Sequence, residues 1–121
     1  MTYDPLSEVI DKPLEINAAV VGALNAFRNK GKFSFIPGMD TTLERARLSK
    51  VLDGLTDALI TGIEANPTKL WVMGKFQIYL VQVEVEDTEG RERFGIEVEE
   101  LMDILGIEGS DGLLSAYLGG I

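Results

Sequence analysis

The residues with most capacity for chemistry lie between Val83 and Gly95, in VEVEDTEGRERFG. Glu84, Glu86, Asp87, Glu89 and Glu92 crowd together there, with Arg91 and Arg93 among them. Such a cluster suits a hard cation or paired acid–base work. A calcium loop of the EF-hand type needs oxygen ligands at alternate positions and glycine at the sixth. Counted from Asp87, the fifth residue is Arg91 and the sixth is Glu92, so the pattern fails and the arginine repels the ion.

A strand pairing accounts for the same residues better. Val81 to Glu86 alternate apolar and polar, as in a half-buried strand. If Glu86 and Arg91 close a hairpin over Asp87-Thr88-Glu89-Gly90, Glu84 faces Arg93, Val83 faces Phe94 and Val81 faces Ile96. One face is then apolar and the other is charged. Glu92 alone faces Val85 on the apolar side.

The rest of the chemical inventory is defined by exclusion. The chain has 121 residues and contains neither cysteine nor histidine. Disulfides, thiolate zinc sites, Ser–His–Asp triads and HExxH zinc sites are therefore impossible within it. An enzyme made from this chain would use carboxylates, Lys, Tyr or a hard cation. No phosphate-binding glycine motif occurs. Paired carboxylates such as Glu99 and Glu100 read as the solvated side of a helix.

Eleven Lys and Arg stand against 20 Asp and Glu, a net charge of −9. That balance disfavours nucleic acid and anionic membranes and favours solubility or a basic protein partner. The N-terminal residues carry no basic and apolar signal-peptide pattern, and AAVVGAL is far shorter than the ~20 residues of a membrane span. A cytoplasmic location is the expectation.

The elements that position these residues follow from periodicity. Residues 1–121 read as one domain. Leu14 to Lys30 has helical spacing, with Ala18, Gly22 and Ala26 forming a stripe of small residues. That stripe suits packing against the next helix, with a homodimer seam as the alternative. TTLE is a capping box in which Thr41 and Glu44 start a second helix, with Leu48, Leu52, Leu55, Leu59 and Ile63 along one side. Between the two, Phe33, Phe35, Ile36 and Met39 make an apolar loop.

Residues 67–86 are ambiguous. Met73-Gly74-Lys75-Phe76 suits a tight hairpin, with Leu70 to Met73 as an edge strand. Val72, Phe76, Leu80 and Val83 also align as a helix beginning at Pro67. Strand is the preferred reading, because Ile78, Val81 and Val85 fall off that helical stripe. Further on, Val98, Leu101, Met102 and Leu105 form a helix ending at Gly106, and Leu113 to Leu118 a last short one. Ser110 or Asp111 suits its N-cap.

The expected fold is α+β: two N-terminal helices packed on a small antiparallel meander or hairpin, with one or two short C-terminal helices. The expected function is a non-catalytic protein–protein interaction module for a basic or apolar partner, with no cofactor. A small-ligand domain with an apolar pocket between sheet and helices is the second expectation, and a carboxylate–Mg²⁺ enzyme the third. The residues expected at an interaction surface or pocket are Phe33, Phe35, Ile36, Met39, Trp71 and Phe76.

Overall fold

A computed structural model of the chain describes residues 4–30 and 42–119. Among these residues the protein is helical throughout. A single turn of 3-10 helix, Pro5–Glu8, precedes five α-helices: α1 (Ala18–Asn29), α2 (Thr42–Gly62), α3 (Lys69–Val83), α4 (Thr88–Leu105) and α5 (Leu113–Leu118). The expected meander is absent. The one β-bridge among the described residues joins Pro13 to Thr68.

The segment read as a hairpin is instead the end of α3, a short turn and the start of α4. Two physical reasons decide this. Val72, Met73, Phe76, Leu80 and Val83 fall on one side of a helix and are all fully buried there. A strand would divide them between two faces. Asp87 then acts as an N-cap: its Oδ1 accepts from the Gly90 amide at 2.8 Å. Asp87-Thr88-Glu89-Gly90 is thus a cap and first helical turn. Gly90 is buried, and a Cβ on it would stand 3.3 Å from both Glu44 Oε1 and Glu86 Cβ. Arg93 pairs with Glu89 one turn back along α4, at 3.1 Å, and not with Glu84 across a ladder. Glu92 is exposed on α4.

α2 behaves as its sequence suggests. Leu48, Leu52, Leu55, Leu59 and Ile63 are buried in the core. The capping box at Thr41 lies outside the described residues, as do Phe33, Phe35, Ile36 and Met39. α1 begins later than Leu14, because Asn17 caps it by accepting from the Val20 amide at 3.0 Å. It buries Leu24 and Phe27. Its Ala18, Gly22 and Ala26 face solvent and do not meet a neighbouring helix. Residues 12–14 run extended beside the α2–α3 connection, where the Leu14 amide donates to Pro67 O and the Lys69 amide to Lys12 O.

α3 is the hub, touching α2, α4, α5 and the Pro5–Glu8 turn. Two glycines of α2 set its distance. A Cβ on Gly54 would lie 2.9 Å from Tyr79 Cε1, and one on Gly62 would lie 2.5 Å from Trp71 Cζ2. Both rings therefore rest on bare α2 backbone. Gly62→Ala should lower stability by about 1–3 kcal/mol, the usual cost of overpacking. Gly22→Ala should raise it by up to ~1 kcal/mol, since nothing lies within 4 Å of a Cβ there and alanine favours a helix interior. Urea melts of the two variants should therefore move in opposite directions.

Candidate functional site

Helical periodicity makes α3 amphipathic only on its polar count, not on its shape. Each residue turns by 100°, so burying residues 72, 73, 76, 80 and 83 must turn 70, 74, 78, 81 and 85 outward. Of that set Leu70, Ile78, Val81 and, just past the helix end, Val85 are exposed, while Gly74 is half-buried with Leu6 of the N-terminal turn beside it. Leu70 is 40% exposed, Ile78 55%, Val81 49% and Val85 86%. Single exposed apolar residues are ordinary on any surface, but a row of them along one helix face is not. Between Lys69 and Val83 no carboxylate occurs, and the two charges present are Lys69 and Lys75. Lys75 lies 5.4 Å from the ring centroid of Trp71, at the edge of this face.

The stripe opens on one flank into a groove of about 540 Å³ between α2 and α3. Val51 and Gly54 of α2 form one wall, and Tyr79, Gln82 and Val85 the other. The missing side chain at Gly54 is what lets Tyr79 sink between the helices. Arg47 and Glu86 lie at the same groove. Arg47 Nη2 donates to Glu86 Oε1 at 2.7 Å and its Nε to Oε2 at 3.1 Å, a two-point pair that ties α2 to the turn after α3. The Glu86 side chain is mostly buried. Its hydrogen bond and charge raise the Arg47 pKa above the usual arginine value.

Arg91 reaches the same turn from α4. Its Nη1 donates to Glu84 O at 3.5 Å and to Glu86 O at 3.3 Å. The acidic stretch that first suggested a metal site thus serves to end α3, cap α4 and hold the turn between them. Among the described residues no group of three or more carboxylates is placed to hold a metal ion.

A second polar feature lies at the opposite end of α3. The Lys69 side chain is only 7% exposed, and its Nζ donates to Asp111 Oδ2 at 2.8 Å. The same oxygen accepts from the Ile10 amide at 2.8 Å. Asp111 therefore joins the start of α3, the N-terminal segment and the loop before α5. Neither Asp111 nor Ser110 is the N-cap of α5, a position Gly112 holds in a left-handed conformation, although Ser110 Oγ accepts from the Leu114 amide at 3.2 Å. Asp111 holds a left-handed backbone, φ 55°, which is uncommon outside glycine and asparagine.

Of the residues expected at a surface or pocket, Trp71 and Phe76 are both on α3 but diverge. Phe76 is fully buried in the core, and Trp71 is half-buried against Gly62. They do not line one cavity, and no sheet exists among the described residues for a pocket to lie beneath. Ile78, Val81 and Val85 had a signal in the sequence: they are the apolar residues left over once the helical stripe through Phe76 is drawn.

No described helix is long and apolar enough to cross a membrane. A family model described as "Domain of unknown function (DUF4844)" matches residues 15–121. No curated protein matches the chain. Among solved structures, the chain resembles the crystal structure of a DUF3571 family protein from Acinetobacter baumannii AYE. The two share 24% identity and a TM-score of 0.71 over 84% of this chain and 89% of that one, a likeness of fold.

The Lys69–Asp111 contact generates a pH prediction. The hydrogen bond from Lys69, then that from the Ile10 amide, lowers the Asp111 pKa. A carboxylate with a lowered folded-state pKa stabilises fully above its unfolded value of about 3.9, and that contribution is lost as pH falls through the folded value. Asp111→Asn keeps the left-handed backbone and removes the charge. Its urea midpoint should therefore fall below wild type at neutral pH, with the gap closing toward acid pH.

Proposed function

The chain belongs to the DUF4844 family, and we propose that it is a non-catalytic interaction module whose contact surface is the outer face of α3 with the adjoining α2–α3 groove. The observation that carries this reading is the row Leu70, Ile78, Val81 and Val85, each at least 40% exposed. Helix-in-groove recognition uses such i, i+3, i+4 anchors on the partner and a complementary apolar furrow on the receptor. The groove beside Gly54 supplies the furrow.

The chemistry of the face favours an apolar partner over a basic one. The net charge of −9 would attract a basic protein in general. α3 itself presents no carboxylate between Lys69 and Val83. The carboxylates beside it are already engaged by α3, Asp11 accepting from the Leu70 amide at 2.9 Å and Asp4 from Gln77 Nε2 at 2.7 Å, and further exposed acidic residues, Glu99, Glu100 and Asp103, lie on α4. The second reading is a small apolar ligand seated against Tyr79 and Val51, for which a volume of about 540 Å³ is ample.

The test is a comparison of immobilised wild type, Val81→Glu and Glu99→Lys in a quantitative pull-down from host extract. Both substituted positions are exposed, so stability should change by no more than ~0.5 kcal/mol. Val81→Glu is expected to lose the proteins that wild type and Glu99→Lys retain. Equal retention by all three would remove α3 as the contact surface. A thermal shift with a fatty acid or other apolar probe, lost in Val51→Trp, would instead support the ligand reading.

A further inference from the structure

We propose that residues 4–12 are a releasable strap, which closes part of the outer face of α3 and on lifting opens a longer contact surface there. This deepens the reading above and rests on α3 being that surface.

The strap interrupts the apolar row. Leu70, Gly74 and Ile78 are spaced four apart, so they stand one above another on α3. Leu70 and Ile78 are exposed, but between them Leu6 Cδ2 lies 4.0 Å from the place of a Cβ on Gly74. The Pro5–Glu8 turn that carries Leu6 touches both α3 and α5. Beside it, Gln77 Nε2 donates to Asp4 Oδ1 at 2.7 Å and to the Tyr117 hydroxyl of α5 at 2.9 Å. With Leu6 lifted away, Leu70, Gly74, Ile78 and Val81 become one continuous apolar row.

Little holds the strap down. No residue from Asp4 to Pro13 is buried, and Ile10 is 74% exposed. Leu6 and Val9 are its residues packed on the core, and both are only half-buried. The first buried residue described is Leu14, whose amide donates to Pro67 O and anchors the strap's end. The other attachments are hydrogen bonds. Asp4 accepts from Gln77, Asp11 Oδ1 from the Leu70 amide at 2.9 Å, Asp111 Oδ2 from the Ile10 amide at 2.8 Å, and Lys12 O from the Lys69 amide at 2.9 Å. The first three are exposed, and water can take the place of either partner at small net cost. Release strands no charge in the interior, because Lys69 Nζ keeps its 2.8 Å bond to Asp111 when the Ile10 amide departs. A segment with few buried apolar contacts and exposed hydrogen bonds opens more readily than the core beneath it. The stretch matched by the family, 15–121, holds all five α-helices and leaves the strap out.

Residue-resolved amide exchange on the full chain at neutral pH tests the release. The Ile10, Lys69 and Leu70 amides donate across the seam between strap and body. They should exchange together, at least ~100-fold faster than the Phe76 and Leu80 amides in the middle of α3. Leu6→Asp puts a charge against the Gly74 notch and should speed those three by a further ~10-fold, with Phe76 and Leu80 unchanged. The same variant should raise the fluorescence of the apolar probe ANS severalfold, and adding Val81→Glu should remove the gain. Ile10 and Lys69 amides as slow as Phe76 and Leu80 overturn the strap. So does a parallel rise at Phe76 and Leu80 in Leu6→Asp, which would make Leu6 a support of the whole bundle. Faster seam exchange with ANS fluorescence unchanged overturns its role as a cover. None of these results decides the pull-down of Val81→Glu against wild type, so α3 as the contact surface stands or fails separately.

Discussion

The closeness of α2 and α3 governs the remaining structure. Tyr79 rests on Gly54 and Trp71 on Gly62, so two large rings two turns apart lie against one helix's bare backbone. These contacts fix more than a distance. Tyr79 and Trp71 project from the same flank of α3, and seating both sets the rotation of α3 about its own axis. With that rotation set, Phe76 and Leu80 must enter the core and Ile78 must face away from it. A single larger side chain at either glycine would push α3 outward and loosen every layer behind it, because packed interiors absorb added volume poorly.

The polar contacts work at the ends of this pair and leave its middle open. At the start of α3, Lys69 is buried against Asp111, which also receives the Ile10 amide. A buried lysine without its partner would be strongly destabilising, so this contact matters more than its number of atoms suggests. At the far end, Arg47 clasps Glu86 and Arg91 collects the carbonyls of Glu84 and Glu86. α1 is joined to α2 by Arg28, whose Nε donates to Asp57 at 2.8 Å. None of these ion pairs crosses the outer face of α3. The chain spends its charges on the perimeter of the bundle, and α3 is left with an apolar exterior.

How much of this was legible follows from where local patterns agree. α2 has five core residues at helical spacing and polar residues between them, and the end of α4 and α5 are similar. Those elements read correctly because their solvent sides are polar. The region from 81 to 96 misled because Val-Glu-Val-Glu alternates over six residues, long enough to resemble a strand and short enough to be the last turn of a helix and its exit. The hairpin register sorted its charges well, yet Glu89–Arg93 spacing within one helix satisfies the same residues. Asp87, read as a loop residue, was the missed signal: an Asp three residues before a glycine amide it can accept from is also a helix start. Long-range contacts such as Lys69–Asp111, 42 positions apart, leave no local trace.

The misreading of α3 and its candidate role have one cause. A helical period is visible only when one side of the helix is polar. α3 lacks that side: Leu70, Gly74, Ile78, Val81 and Val85 occupy the positions where an ordinary surface helix carries Lys, Glu or Gln. Those residues blurred the period and made a strand covered on both faces look reasonable. A helix apolar all round is normally enclosed on all sides, and here α2, α4, α5 and the Pro5–Glu8 turn leave Leu70, Ile78, Val81 and Val85 exposed among the described residues. Helix propensity does not require such an exterior, since Glu or Lys would serve the helix at least as well as Val or Ile. Solubility would be better served by them too. Covering an exposed apolar row is favourable, which is why the outer face of α3 is the proposed contact surface, whereas the residues at 84–92 end α3, cap α4 and hold the turn between them.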